Sequence, residues 1–142
     1  GPARCLALGE AWCPDVFRGL PVMARVAEAA GIELRCFFRD QNKDIMAEFL
    51  NHGESESIPT FVFYTKDHRY IAHFIERPRL ANDEMRSVLA PMYARMRKLD
   101  ATPEGKAAMK QEYIAFQNGP IWSNWRQETV RECIRLIEAK VG

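Results

Sequence analysis

The stretch RCLALGEAWCPDVFRGLPVMARVAEAAG, Arg4 to Gly31, decides how this chain is read. Arg4 to Glu10 is an apolar run too short for a core helix and of the right length for a buried strand. Trp12-Cys13-Pro14-Asp15 follows, and beyond it Phe17, Leu20, Met23 or Ala24, and Ala27 recur at helical spacing as far as Ala30. Gly31 stands where a helix end calls for a left-handed residue. A strand that turns at a cysteine into a helix puts the thiol at a helix N-terminus. Unpaired backbone N–H groups and the positive end of the dipole favour thiolate over thiol there. Pro14 suits the first helical turn and loses no hydrogen bond. Asp15 acts the other way, because a carboxylate in the same turn repels a thiolate, so only partial activation is expected.

Outward from that core, Ile32 to Phe38 reads as a second buried strand, and Asp44 to Leu50 as a short helix with Ile45, Met46 and Phe49 on one side. Thr60–Tyr64 and Tyr70–Ile75 are strands separated by a short polar linker that includes His68, and are expected to pair antiparallel. Strand, helix, strand, helix, hairpin is an α/β pattern whose first crossover should be right-handed. From Asn82, an expected N-cap, the chain reads as helix, with Met85, Val88, Leu89, Met92, Met96 and Leu99 on one face. Pro91 should kink or break it. Thr102-Pro103-Glu104 opens another helix to about Gln117, and Asn118-Gly119-Pro120 ends it. Ile121 to Lys140 is the last, carrying Trp122, Trp125, Thr129, Cys133 and Ile137 in one stripe. The expected organisation is an α/β domain over residues 1–99. A helical extension over residues 100–142 should dock on it as two helices, burying Trp122, Trp125, Cys133 and Ile137.

Composition narrows the partners. The 142 residues are 47% hydrophobic, which suits one packed domain and excludes a disordered chain. Twenty Lys and Arg face nineteen Asp and Glu, a net charge of +1 that gives no bulk attraction to nucleic acid or to an anionic membrane. No run is long enough to span a bilayer. The start carries no secretory signal, so a cytoplasmic protein is expected. Gly1-Pro2 resembles the scar of a protease cleavage, with the native start upstream. Cysteines at 5, 13, 36 and 133 and histidines at 52, 68 and 73 lack metal-finger spacing, so no metal is expected. Cys5, Cys36 and Cys133 read as small buried apolar residues. The methionines and the Trp122/Trp125 pair read as core, and Arg95, Arg97 and Lys98 as a solvated face.

The motif around Cys13 resembles the thioredoxin superfamily, most closely bacterial thioredoxin-like proteins with a Trp-Cys-Pro-Asp-Cys motif. Here the stretch is Glu10-Ala11-Trp12-Cys13-Pro14-Asp15-Val16. Pro21 falls at the family's kinked active-site helix, and Asp40-Gln41-Asn42 follows the second strand as it does there. Ile58-Pro59-Thr60 looks like the segment whose cis-proline faces the active-site thiol. Glu76-Arg77-Pro78 and Gly119-Pro120-Ile121-Trp122 also match this subgroup. The resemblance implies a thioredoxin-like α/β fold, a mixed sheet of about four strands flanked by helices, with a C-terminal helical extension. It implies Cys13 as the nucleophile and Trp12, Pro14, Asp15, Ile58 and Pro59 as the residues meeting the substrate. The usual first strand and helix of the family are not in this chain, so the strand at residue 4 is expected to be central in the sheet.

The departures bear on function. The family's second cysteine is replaced by Val16, and its buried acid by Ala7; Glu10 sits at a different offset. Cys5, near the far end of the first strand, lies roughly 15–20 Å from Cys13 at the strand rise per residue. Neither it, Cys36 nor Cys133 is read as a resolving thiol. The expected function is a monothiol redox protein exchanging thiols and disulfides with protein or small-molecule partners. It needs no bound cofactor, and glutathione or another thiol serves as co-substrate. An iron–sulfur cluster shared with glutathione across a dimer is a weaker variant. The alternative is a non-catalytic module of the same fold that binds a peptide or protein along the cis-proline groove, Trp12 and the helix terminus. No oligomeric state is read from the sequence.

Overall fold

The structure is a computed structural model that describes residues 1–99 and 101–141, the side chain of Val141 excepted. Its elements run β1 (Arg4–Gly9), α1 (Pro14–Ala30), β2 (Glu33–Phe38), a 3-10 turn (Arg39–Gln41), α2 (Lys43–Met46), β3 (Thr60–Tyr64) and β4 (Tyr70–Ile75). Three long helices follow, α3 (Arg79–Leu99), α4 (Pro103–Gln117) and α5 (Pro120–Val141). The four strands form one mixed sheet in the order β2-β1-β3-β4. β1 is parallel to β2 and antiparallel to β3, and β3 is antiparallel to β4. β1 is therefore central, which sets the Cys13 turn at the middle of the sheet's end.

Local chemistry accounts for the first crossover. Pro14 supplies a fixed φ at the first position of α1, and Gly31 ends the helix in the left-handed region at φ 69, its N–H bonding to Ala27 O. Nothing lies within 4 Å of a Cβ built on Gly31, so a side chain there meets only conformational strain. Gly31→Ala should lower stability by about 1 kcal/mol, read from the denaturation midpoint. Cys5 and Ala7 of β1, Met23 and Ala27 of α1, and Phe61, Phe63 and Cys133 share one apolar cluster. Leu8, Cys13, Val16, Met46 and Ile58 form a second at the Cys13 end.

Contacts gather residues 1–77 with 129–142 into one compact unit and residues 78–128 into another, whereas the sequence places its boundary after residue 99. The apolar stripe of α5 is divided accordingly. Trp122 and Trp125 are buried in a cluster with Ala81, and Trp125 Nε1 donates to Glu84 Oε1. Cys133 is buried in the sheet cluster, while Ile137 is only half-buried against it. α3 starts at Arg79 rather than at Asn82, because Pro78 O already accepts the amides of Ala81 and Asn82. It also runs through Pro91 unbroken. The carbonyl that proline leaves without an amide belongs to exposed Ser87, where solvent can serve it. Leu99 is exposed instead of lying on the buried face. Thr102 caps α4 as expected, its side chain accepting from Gly105 N.

Cys36 corrects another expectation, for it is exposed. β2 is an edge strand, and on the face that Cys36 shares with its partner Ala7 the space is open rather than packed. Among the described residues no helix is long and apolar enough to cross a membrane.

Candidate functional site

Cys13 is the N-cap of α1, with extended backbone (φ −83, ψ 124). Its carbonyl accepts the amides of Val16 at 3.0 Å and Phe17 at 3.1 Å, and its own amide donates to Glu10 O at 3.2 Å. These bonds fix the sulfur at the positive end of a seventeen-residue helix. The thiol is 9% exposed and donates to Ile58 O at 3.8 Å. Ile58–Pro59 is a cis peptide. Both residues are buried. Pro59 O is already taken by the Glu76 amide at 2.6 Å. Gly19, one turn after Asp15, packs against this loop, and a Cβ there would make an ordinary contact of 3.5 Å with Pro59 Cγ.

Asp15 behaves differently from the reading of its charge alone. Its carboxylate accepts from Arg18 Nη2 at 2.6 Å, and its second oxygen meets Arg77 Nη2 at 3.3 Å. Arg77 also pairs with Glu76. Two guanidinium groups thus face the carboxylate beside the thiol and lessen the repulsion expected from it. Arg18 is held with its side chain only 3% exposed, which a lone cation would not tolerate.

Trp12 stands apart from this cluster, 64% exposed, with the Arg39 guanidinium carbon 5.6 Å from its ring centroid. Arg39 is in turn anchored by Asp40 and by Glu56 O, each at 3.0 Å. Glu10 accepts the Asp40 amide at 3.0 Å, so its carboxylate is occupied in stitching two loops together. Val16 and Ala7 are buried where the resemblance puts the second thiol and the acid. The structure therefore brings Cys13, Asp15, Ile58 and Pro59 together, leaves Pro14 and Trp12 outward, and adds Arg18, Arg77 and Arg39. Arg18 had a signal, the i,i+3 spacing from Asp15. Arg77 stood out only within the Glu76-Arg77-Pro78 match, and nothing local showed its pairing with Asp15, because it arrives from beyond the end of β4.

Cys5 and Cys133 are buried. Desolvation first, then the nearby Cys36, pushes Cys5 up to about 12, and burial raises Cys133 as well. Thiols held protonated at pH 8 are poor nucleophiles. Iodoacetamide at that pH should leave Cys5 and Cys133 unmodified in the folded protein and reach them only in denaturant, as peptide mass mapping would show. Early modification of either would contradict this packing.

A family profile described as thioredoxin matches residues 1–97. No curated protein matches the chain. Among solved structures, the protein of unknown function PA1234 from Pseudomonas aeruginosa is 21% identical with a TM-score of 0.59; the similarity covers 97% of this chain and 67% of that one. An HIV epitope scaffold is 19% identical with a TM-score of 0.61, covering 98% of this chain and 68% of its own. At such identities these two speak for the fold alone. The profile match spans more than half of the chain and contains the central strand, the Cys13 turn and the Ile58–Pro59 loop, and the chain belongs to the thioredoxin family.

Proposed function

We propose that the protein is a thiol–disulfide exchanger working through one cysteine. Cys13, as thiolate, attacks one sulfur of a disulfide R–S–S–R′. The new Cys13–S–S–R bond forms as the old one breaks, and R′–S⁻ leaves and takes up a proton. A second thiol, glutathione or a similar donor, then attacks as its own thiolate. That step restores Cys13 and yields a disulfide between R and the donor. The number of disulfides is unchanged, so no further oxidant or reductant is needed.

The observation that carries this reading is the seat of Cys13 at the N-cap of α1, beside Ile58 O, with the Asp15 carboxylate faced by two arginines. The Ile58–Pro59 backbone, Pro14 and Trp12 would meet the substrate. A reducing compartment such as the cytoplasm suits the role, because it holds the regenerating thiol.

The test is turnover of a glutathionylated peptide with glutathione as donor. The unaltered protein should release the peptide faster than glutathione alone, and Cys13→Ser should remove the whole acceleration. Equal rates with and without the protein would overturn the proposal.

A further inference from the structure

Behind the Cys13 turn lies a cavity that the exchange reaction does not use. It is bounded by Ala7, Gly9, Val16, Cys36, Phe38 and Pro59, and its volume is about 200 Å³. Its existence follows from side-chain size. Ala7 and Gly9 on β1 leave the sheet floor bare, Val16 forms a short wall from α1, and Cys36 and Phe38 form the opposite wall on the edge strand β2. Gly9 keeps the floor low, since a Cβ there would lie 3.0 Å from Val16 Cγ1. The one charged residue on its lining is Glu10, whose carboxylate is bonded to the Asp40 amide.

That composition selects an occupant. A water held inside needs two to four polar partners, and these walls supply few. An anion meets no cation on the lining, and a carboxylate stands at the rim. An engineered apolar cavity of about 150 Å³ takes up benzene. A space of about 200 Å³ therefore has room for one six-membered ring with a small substituent or a fused five-membered ring. The half-exposed ring of Phe38 and the polarisable sulfur of Cys36 are both good partners for an aromatic edge.

We propose that this cavity is a binding site for one neutral, single-ring or indole-sized aromatic group, delivered as a free small molecule or as a side chain of a bound polypeptide. Bound there, the ring touches Val16, one helical turn from Cys13. The inference stands on the cavity and does not require Cys13 to turn over.

Indole is the probe. Titrated into the unaltered protein, it should give saturable amide shifts centred on Ala7, Gly9, Val16 and Cys36, and slow the alkylation of Cys36 by iodoacetamide to a saturating limit. Cys36→Phe, which fills the cavity from its exposed wall, should weaken binding about tenfold or more, whereas Cys36→Ser keeps the space and should bind normally. Shifts that neither saturate nor localise, with Cys36 alkylation unchanged by indole, would overturn the site. So would unweakened binding to a folded Cys36→Phe protein. If that variant does not fold, the alkylation of the unaltered protein decides alone. A short peptide containing phenylalanine, compared with its alanine counterpart, separates the two sources. Protection of Cys36 by the phenylalanine peptide only assigns a side-chain ligand, and protection by indole but by neither peptide assigns a free one.

Discussion

Val16→Cys should turn a protein whose mixed disulfide waits for an outside thiol into one that releases it internally and reduces insulin with dithiothreitol as donor. Val16 lies one helical turn from Cys13 and its amide donates to Cys13 O at 3.0 Å, so an introduced thiol shares the turn with the existing one. Valine and cysteine are close in size, and the buried site should accept the exchange at a cost of about 1 kcal/mol or less. What the unaltered protein lacks is an internal attacker on the mixed disulfide. A well-oriented intramolecular attack has an effective molarity of up to about 10⁵ M or more, which no dissolved thiol approaches. Insulin turbidity measured against the unaltered protein is the readout. Activity should stay below that of ordinary thioredoxins, because Ala7 supplies no proton acceptor. A variant that forms the internal disulfide yet leaves insulin untouched would show that the groove has lost exchange chemistry, and the binding-module reading would replace the enzymatic one.

Asp15→Ala should be the most destabilising substitution at the site. It removes the carboxylate faced by both Arg18 and Arg77, and Arg18 is almost fully buried. Removing one partner of a buried ion pair costs about 3 kcal/mol, near the low end of the usual range because Arg77 also pairs with Glu76. For a chain of this size that corresponds to a fall in Tm of about 10 °C. Asp15→Asn, which keeps an acceptor without the charge, should recover part of the loss. A Tm unchanged within a degree or two would mean that the arginines are served equally well by their other neighbours, and that Asp15 is not the keystone of this cluster.

Much of the fold was legible because its signals are local. The run Arg4–Glu10, Pro14 and Gly31 mark a strand, a helix start and a helix end within one short segment, and β3 and β4 keep the bounds read from their composition. Signals that depend on distant neighbours were not legible. Nothing in β2 says that it lies at the sheet edge, so Cys36 read as core although it faces an open cavity. The stripe from Trp122 to Ile137 looks continuous on a helical wheel, yet its two ends join different clusters. At the site, the N-terminal seat of Cys13 was written in Cys13-Pro14, whereas Asp15 also pairs with Arg77, sixty-two residues further along the chain. The sequence therefore showed the carboxylate beside the thiol but not the second arginine that faces it.

The central claim is that Cys13 is the reactive thiol of this protein. Brief incubation of the folded protein with oxidised glutathione, followed by peptide mass mapping, tests it most directly. The expected result is one glutathionyl group on Cys13, formed before any on the more exposed Cys36 and absent from Cys13→Ser. Modification of Cys36 while Cys13 stays free would contradict the claim, because exposure and not the helix N-terminus would then govern the chemistry.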